Sequence, residues 1–118
     1  MQTNIDFNDV KKIKLIPEAF GKNGYKYRLL ERSTAVALYE QLDGGAVVGY
    51  EVHKIRARKL TPTALGDKKY IGMGYTHTEY LASNEDFGMY GWSFDTLQMA
   101  KMKFTELNNQ QNKENNIK

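Results

Sequence analysis

Cysteine is absent from the 118 residues, which excludes a disulfide scaffold, a thiolate metal site and a cysteine nucleophile, and fits a reducing compartment. Long apolar runs are also missing. No stretch approaches the roughly 18 apolar residues of a membrane span, and Met1 to Phe7 show no basic region leading into an apolar one. The expectation is a soluble, cytoplasmic protein of one domain with no membrane partner. Proline occurs only twice, as Pro17 and Pro62, and histidine only twice, as His53 and His77. Phosphate-cradling loops fail on spacing: Gly72-Met73-Gly74 lacks a third glycine at His77, and Gly66-Asp67-Lys68 lacks the preceding glycine of a P-loop. Neither histidine sits in a metal or hydrolase signature, so no cofactor, metal or catalytic residue is expected. The three serines, Ser33, Ser83 and Ser93, read as turn or cap residues.

What is present is charge, unevenly placed. The formal net is +3. Residues 1 to 52 balance, whereas residues 53 to 75 hold Lys54, Arg56, Arg58, Lys59, Lys68 and Lys69 against Asp67 alone, a local +5. Residues 76 to 100 contain no Lys or Arg and carry Glu79, Glu85, Asp86 and Asp95. A positive pole of this kind can steer an anion, although charge runs are also the ordinary solvated faces of a fold.

The periodicity predicts an α+β fold: an antiparallel sheet of three to five strands with one C-terminal amphipathic helix packed on one face. Residues 1 to 24 fit no single period. Tyr25, Tyr27 and Leu29 alternate with Lys26 and Arg28, the period of two of a half-buried strand. Residues 35 to 42 and 46 to 58 read as a hairpin around Asp43-Gly44-Gly45. A three-residue loop would pair Val36 with Val52 and Leu38 with Tyr50, giving one coherent apolar face. The second strand would run for about 13 residues, beyond the usual length, and its far half, with Lys54, Arg56 and Arg58, would overhang the core. Residues 59 to 76 read as a long loop with one short strand at 69–73, and Ser83 with Asp86 as the start of a helical turn. The helix is placed from Ser93 as N-cap, with Phe94, Leu97, Ala100, Phe104 and Leu107 on its apolar face. The predicted domain spans residues 1–107. Residues 108–118, rich in Asn and Gln, read as a disordered polar tail.

One constellation carries chemistry: Lys54, Arg56, Arg58, Lys68 and Lys69 with Tyr70 and Tyr75. Cations attract phosphate and tyrosine rings offer a stacking platform, the demands of a nucleotide or nucleic acid. The competing reading is an edge strand guarded by Lys and Arg. Two other classes remain open. Tyr80, Glu85, Asp86 and Tyr90 could contact a protein partner, and a small enzyme could use His53, which shares a strand face with Glu51, or His77.

The stretch Asn84-Glu85-Asp86-Phe87-Gly88, then Tyr90-Gly91-Trp92-Ser93-Phe94, then Leu97, Ala100 and Phe104 follows a strand such as Gly49-Tyr50-Glu51-Val52. In this layout, "NExFGxxxWxF" before a terminal helix, the chain resembles small uncharacterised accessory proteins of tailed phages, including crAss-like and related gut phages. The resemblance implies a phage gene acting in host cytoplasm by binding, in counter-defence or host takeover, and supplies no activity. It leaves a nucleotide or nucleic acid, a host protein or a second copy of the chain as partners.

Overall fold

The computed structural model describes residues 12–116, with side chains described as far as residue 111. The fold is α+β, with two sheets of three and five strands and a C-terminal helix. The chain divides into two compact units, one taking residues up to Ile16 together with Arg56–Tyr80, the other Pro17–Ile55 with Leu81–Lys118. The sequence reading had gathered both into one domain.

The larger unit is a five-stranded antiparallel sheet in the order β2 (Ala19–Lys22), β3 (Tyr25–Arg32), β4 (Val36–Asp43), β5 (Ala46–Lys54) and β8 (Gly91–Phe94). Side chains alternate across a strand, so β4 and β5 present Val36, Leu38 and Val52 on one face and Ala37, Tyr39, Glu51 and His53 on the other. The first face meets α2 (Leu97–Asn116): Val36, Leu38 and Val52 pack with Ala100, Phe104 and Leu107, and Tyr50, Trp92, Phe94 and Leu97 close the margins. Full burial of each such aliphatic side chain contributes roughly 1.5–3 kcal/mol, which fixes the helix on the sheet.

Three local readings are corrected in this unit. Asp43 pairs directly with Ala46, so the hairpin loop is the two residues Gly44-Gly45, both at positive φ as a type I′ turn requires. A bulge beyond Gln41 then adds one residue, so Leu38 pairs with Val52 and Val36 with Lys54. The pairing differs by two residues from that expected while the apolar face is the same, because two odd steps restore parity. The helix does not begin at Ser93, which pairs with Glu51 inside β8. Its first turn is capped by Thr96, whose Oγ1 accepts the Met99 N–H at 3.2 Å. Finally, α2 continues through Asn116, past the end of its packed face at Leu107, across the segment expected to be a disordered tail.

The smaller unit holds a three-stranded sheet ordered β1 (Ile13–Lys14), β7 (His77–Tyr80), β6 (Arg56–Lys59), with β1 parallel and β6 antiparallel to β7. The expected long strand is therefore two: β5 ends at Lys54, the Ile55 N–H bonds to Ala35, and β6 belongs to the other sheet. In place of the expected loop and short strand, residues 67–72 form a helix, α1 (Asp67–Gly72). The expectation for residues 1–11 lies outside the described residues. Among the described residues no helix is long and apolar enough to cross a membrane.

Candidate functional site

The smaller unit carries an excess of basic over acidic residues. Its described residues carry Lys12, Lys14, Arg56, Arg58, Lys59, Lys68 and Lys69 against Asp67 and Glu79. Register assigns them to faces. Arg56 lies opposite Tyr80 and Arg58 opposite Thr78, with Lys14 beside Thr78 on the other flank of β7. These share one face of the small sheet, from which Arg58 and Lys14 reach Asp67 and Tyr70 of α1.

What holds α1 is a buried carboxylate. Asp67 Oδ2 accepts from Arg58 Nη1 at 2.8 Å and from the Thr61 N–H at 3.0 Å, and Oδ1 accepts from Nη2 at 2.9 Å. A two-pronged pair of this kind is stronger and more directional than a single charged hydrogen bond. The Arg58 hydrogen bonds, followed by the Thr61 N–H, hold the Asp67 carboxyl down at about 2 against its ordinary 3.8, and Asp67 in turn raises Arg58. Arg58 is therefore occupied in fixing the helix, and its charge is offset.

Three of the other cations approach rings. The Arg56 guanidinium lies 4.7 Å from the Tyr80 ring centre. Tyr70 is approached by two ammonium groups, Lys14 at 4.8 Å and Lys69 at 5.6 Å. Each contact contributes roughly 0.5–1 kcal/mol at exposed sites. Lys59 and Lys68 are exposed. Tyr75 is half-buried, its N–H bonded to the Tyr70 carbonyl at 3.0 Å. Of the seven residues proposed from sequence, the fold thus gathers Arg56, Arg58, Lys68, Lys69, Tyr70 and Tyr75 into one unit. Lys54 belongs to the other, where it approaches Tyr90 at 5.8 Å. Lys14 escaped the sequence reading because residues 1 to 24 show no period. β6 is also an edge strand, so its basic residues protect an open edge as well as offering charge.

The alternative sites have distinct surroundings. Asp86 Oδ2 accepts the Ser83 N–H and Oγ–H at 3.1 and 3.0 Å, completing the expected capping box of a 3-10 turn at Asn84–Asp86. Glu85 is exposed, and Tyr80 and Tyr90 are half-buried. His77 Nδ1 lies 2.8 Å from Thr76 Oγ1 on the small sheet. His53 is buried in the larger unit, where the Ala82 N–H donates to Nδ1 at 3.2 Å and Nε2–H donates to Glu51 Oε1 at 3.0 Å. The Tyr27 hydroxyl donates to the other Glu51 oxygen at 3.3 Å and accepts from Gln41 at 2.9 Å. Burial, then the nearby Glu51 charge, raise the Tyr27 phenol above its ordinary value. Tyr39 and Phe87 stand edge-on to the imidazole. Both ring nitrogens of His53 are committed, leaving no lone pair or proton directed at a substrate.

The aromatic and glycine residues of the segment 84–94 have structural roles in this same unit. Phe87 covers His53, while Trp92 and Phe94 border the core under α2. A Cβ on Gly91 would lie 2.8 Å from Ala82 Cβ and 3.0 Å from the Phe87 ring. The motif is a joint from loop through strand to helix and carries no catalytic geometry. No family model, curated protein or solved structure matches the chain.

Proposed function

We propose that the chain binds nucleic acid through its phosphates, using the basic face and edge of the smaller unit. The supporting observation is the charge partition: among the described residues, seven basic side chains stand in that unit against two acidic ones, of which Asp67 is committed internally to Arg58. The cations are spread over β1, β6 and α1 and are largely exposed, a layout that a polymer of phosphates can follow. In the setting implied by the phage resemblance, such a protein would coat or sequester nucleic acid during host takeover. Docking of a protein partner on residues 79–92 is the second reading. It has less support, since Asp86 serves as a cap and both tyrosines are half-buried.

Fluorescence anisotropy with a labelled 20-nucleotide strand over a salt series tests the reading. Affinity should fall linearly with salt on logarithmic axes. A Lys68→Ala/Lys69→Ala double variant should weaken binding and flatten the slope by about 1.4, two phosphate contacts at roughly 0.7 each for a single strand. Arg58 is left intact, because its loss would release α1. Absence of binding at low salt, or a double variant identical to the parent, rejects the site.

A further inference from the structure

The segment around α1 presents apolar as well as charged groups. Leu65, immediately before the helix, is fully exposed, Met73 just after it is 61% exposed, and Ile71 is also counted among the exposed apolar residues. Lys68 and Lys69 lie between them and are exposed. A single exposed leucine needs no explanation, but three large apolar side chains within nine residues, interleaved with lysines, form a mixed surface. The inner side of α1 is already used, by Asp67 on Arg58 and by Tyr70 beneath Lys14 and Lys69.

Resting on the phosphate-binding reading above, we infer that this surface selects unpaired strand over duplex, with Leu65 and Met73 contacting bases while Lys68 and Lys69 hold the flanking phosphates. A duplex offers its phosphates to the lysines, but its bases are stacked inside, so the apolar groups would remain against sugar, phosphate and water. A single strand can turn base faces outward, and those faces gain from apolar contact. The Tyr70 ring, approached by two ammonium groups, is poorly placed to be the platform, which leaves the aliphatic side chains to serve.

The test compares a mixed-sequence 15-nucleotide strand with the 15-base-pair duplex of the same sequence, at one salt concentration, by competition against a labelled strand. The parent protein should favour the single strand by about tenfold, equivalent to about 1.4 kcal/mol. A Leu65→Ser/Met73→Ser variant should lose that preference while keeping its duplex affinity and its salt slope. Both side chains are exposed, so an unchanged thermal transition should confirm that the variant is folded. Equal or tighter binding of duplex by the parent overturns the selectivity and leaves phosphate binding standing. Failure to bind either nucleic acid removes both. Binding to phosphatidylserine vesicles in the absence of oligonucleotide binding also overturns both, reassigning the same lysines and apolar groups to a lipid surface.

Discussion

At residue 53 the imidazole closes a buried chain of polar groups: the Ala82 N–H to Nδ1, Nε2–H to Glu51, the Tyr27 hydroxyl to Glu51, and Gln41 to the Tyr27 hydroxyl. A histidine beside a glutamate on one strand face reads in sequence more readily as a structural polar pair than as a catalytic one. The partner that settles its surroundings, a backbone N–H from residue 82, has no side-chain signature at all. His53→Phe keeps a ring of similar shape between Tyr39 and Phe87 but strips a partner from both Ala82 and Glu51. Each polar group left buried and unsatisfied costs about 1–3 kcal/mol. Chemical denaturation should therefore show a clearly lowered midpoint with an unchanged slope. A midpoint equal to that of the parent would mean that the network does not stabilise the fold. Arg58 teaches the same lesson in the other direction: it was legible as a cation but not as the partner of Asp67, nine residues away at the start of a helix that sequence did not reveal.

Elements were legible where period and burial agreed. The apolar stripe Leu97, Ala100, Phe104 and Leu107 identified α2 and its packed face, because 3.6-residue periodicity over three turns is a strong signal. Its start was misplaced: Ser93 has the side chain of a cap, but it pairs with Glu51 in β8, and Thr96 caps the helix instead. The difference is measurable. Thr96→Ala should lower stability by about 1 kcal/mol, the ordinary loss of a cap, while Ser93→Ala, on an exposed strand position, should change it by less than about 0.5 kcal/mol. Reversal of that order in thermal or chemical melts would return the helix start to Ser93. The hairpin at Asn23-Gly24 was missed although its type I′ dipeptide stood in the sequence, with Asn23 at φ 56° and Gly24 at φ 87° closing β2 on β3. The aperiodic residues before it hid its first strand. Helix α1 was illegible for a different reason: six residues between Gly66 and Met73-Gly74 are too few to show a period, and the helix depends on Asp67 reaching Arg58 and Thr61.

For the molecule as a whole, the charge total of +3 conceals a division between two folding units, and the sequence exposed part of that division through its basic and acidic segments. It missed the contribution of the N-terminal strand, because Lys12 and Lys14 join β6 and α1 only through the parallel pairing of β1 with β7. A unit so rich in positive charge repels itself, and its internal counterweight is the Asp67 carboxylate. That dependence gives the unit a defined acid response. The Asp67 pKa is depressed in the folded chain, to about 2 from 3.8, so its ionised form stabilises the fold at pH values above the ordinary one. As pH falls from about 4 toward 2 this contribution is progressively lost, because the unfolded chain takes up the proton first. Amide exchange of α1, followed by NMR between pH 5 and pH 2, should show protection declining across that window. In Asp67→Asn, protection should be lower than in the parent at pH 5, and the gap between the two proteins should close as pH approaches 2. A gap that stays constant across the window would show that the carboxylate's charge does not hold the helix, and a parent profile as flat as that of the variant would remove Asp67 as the counterweight of the basic unit.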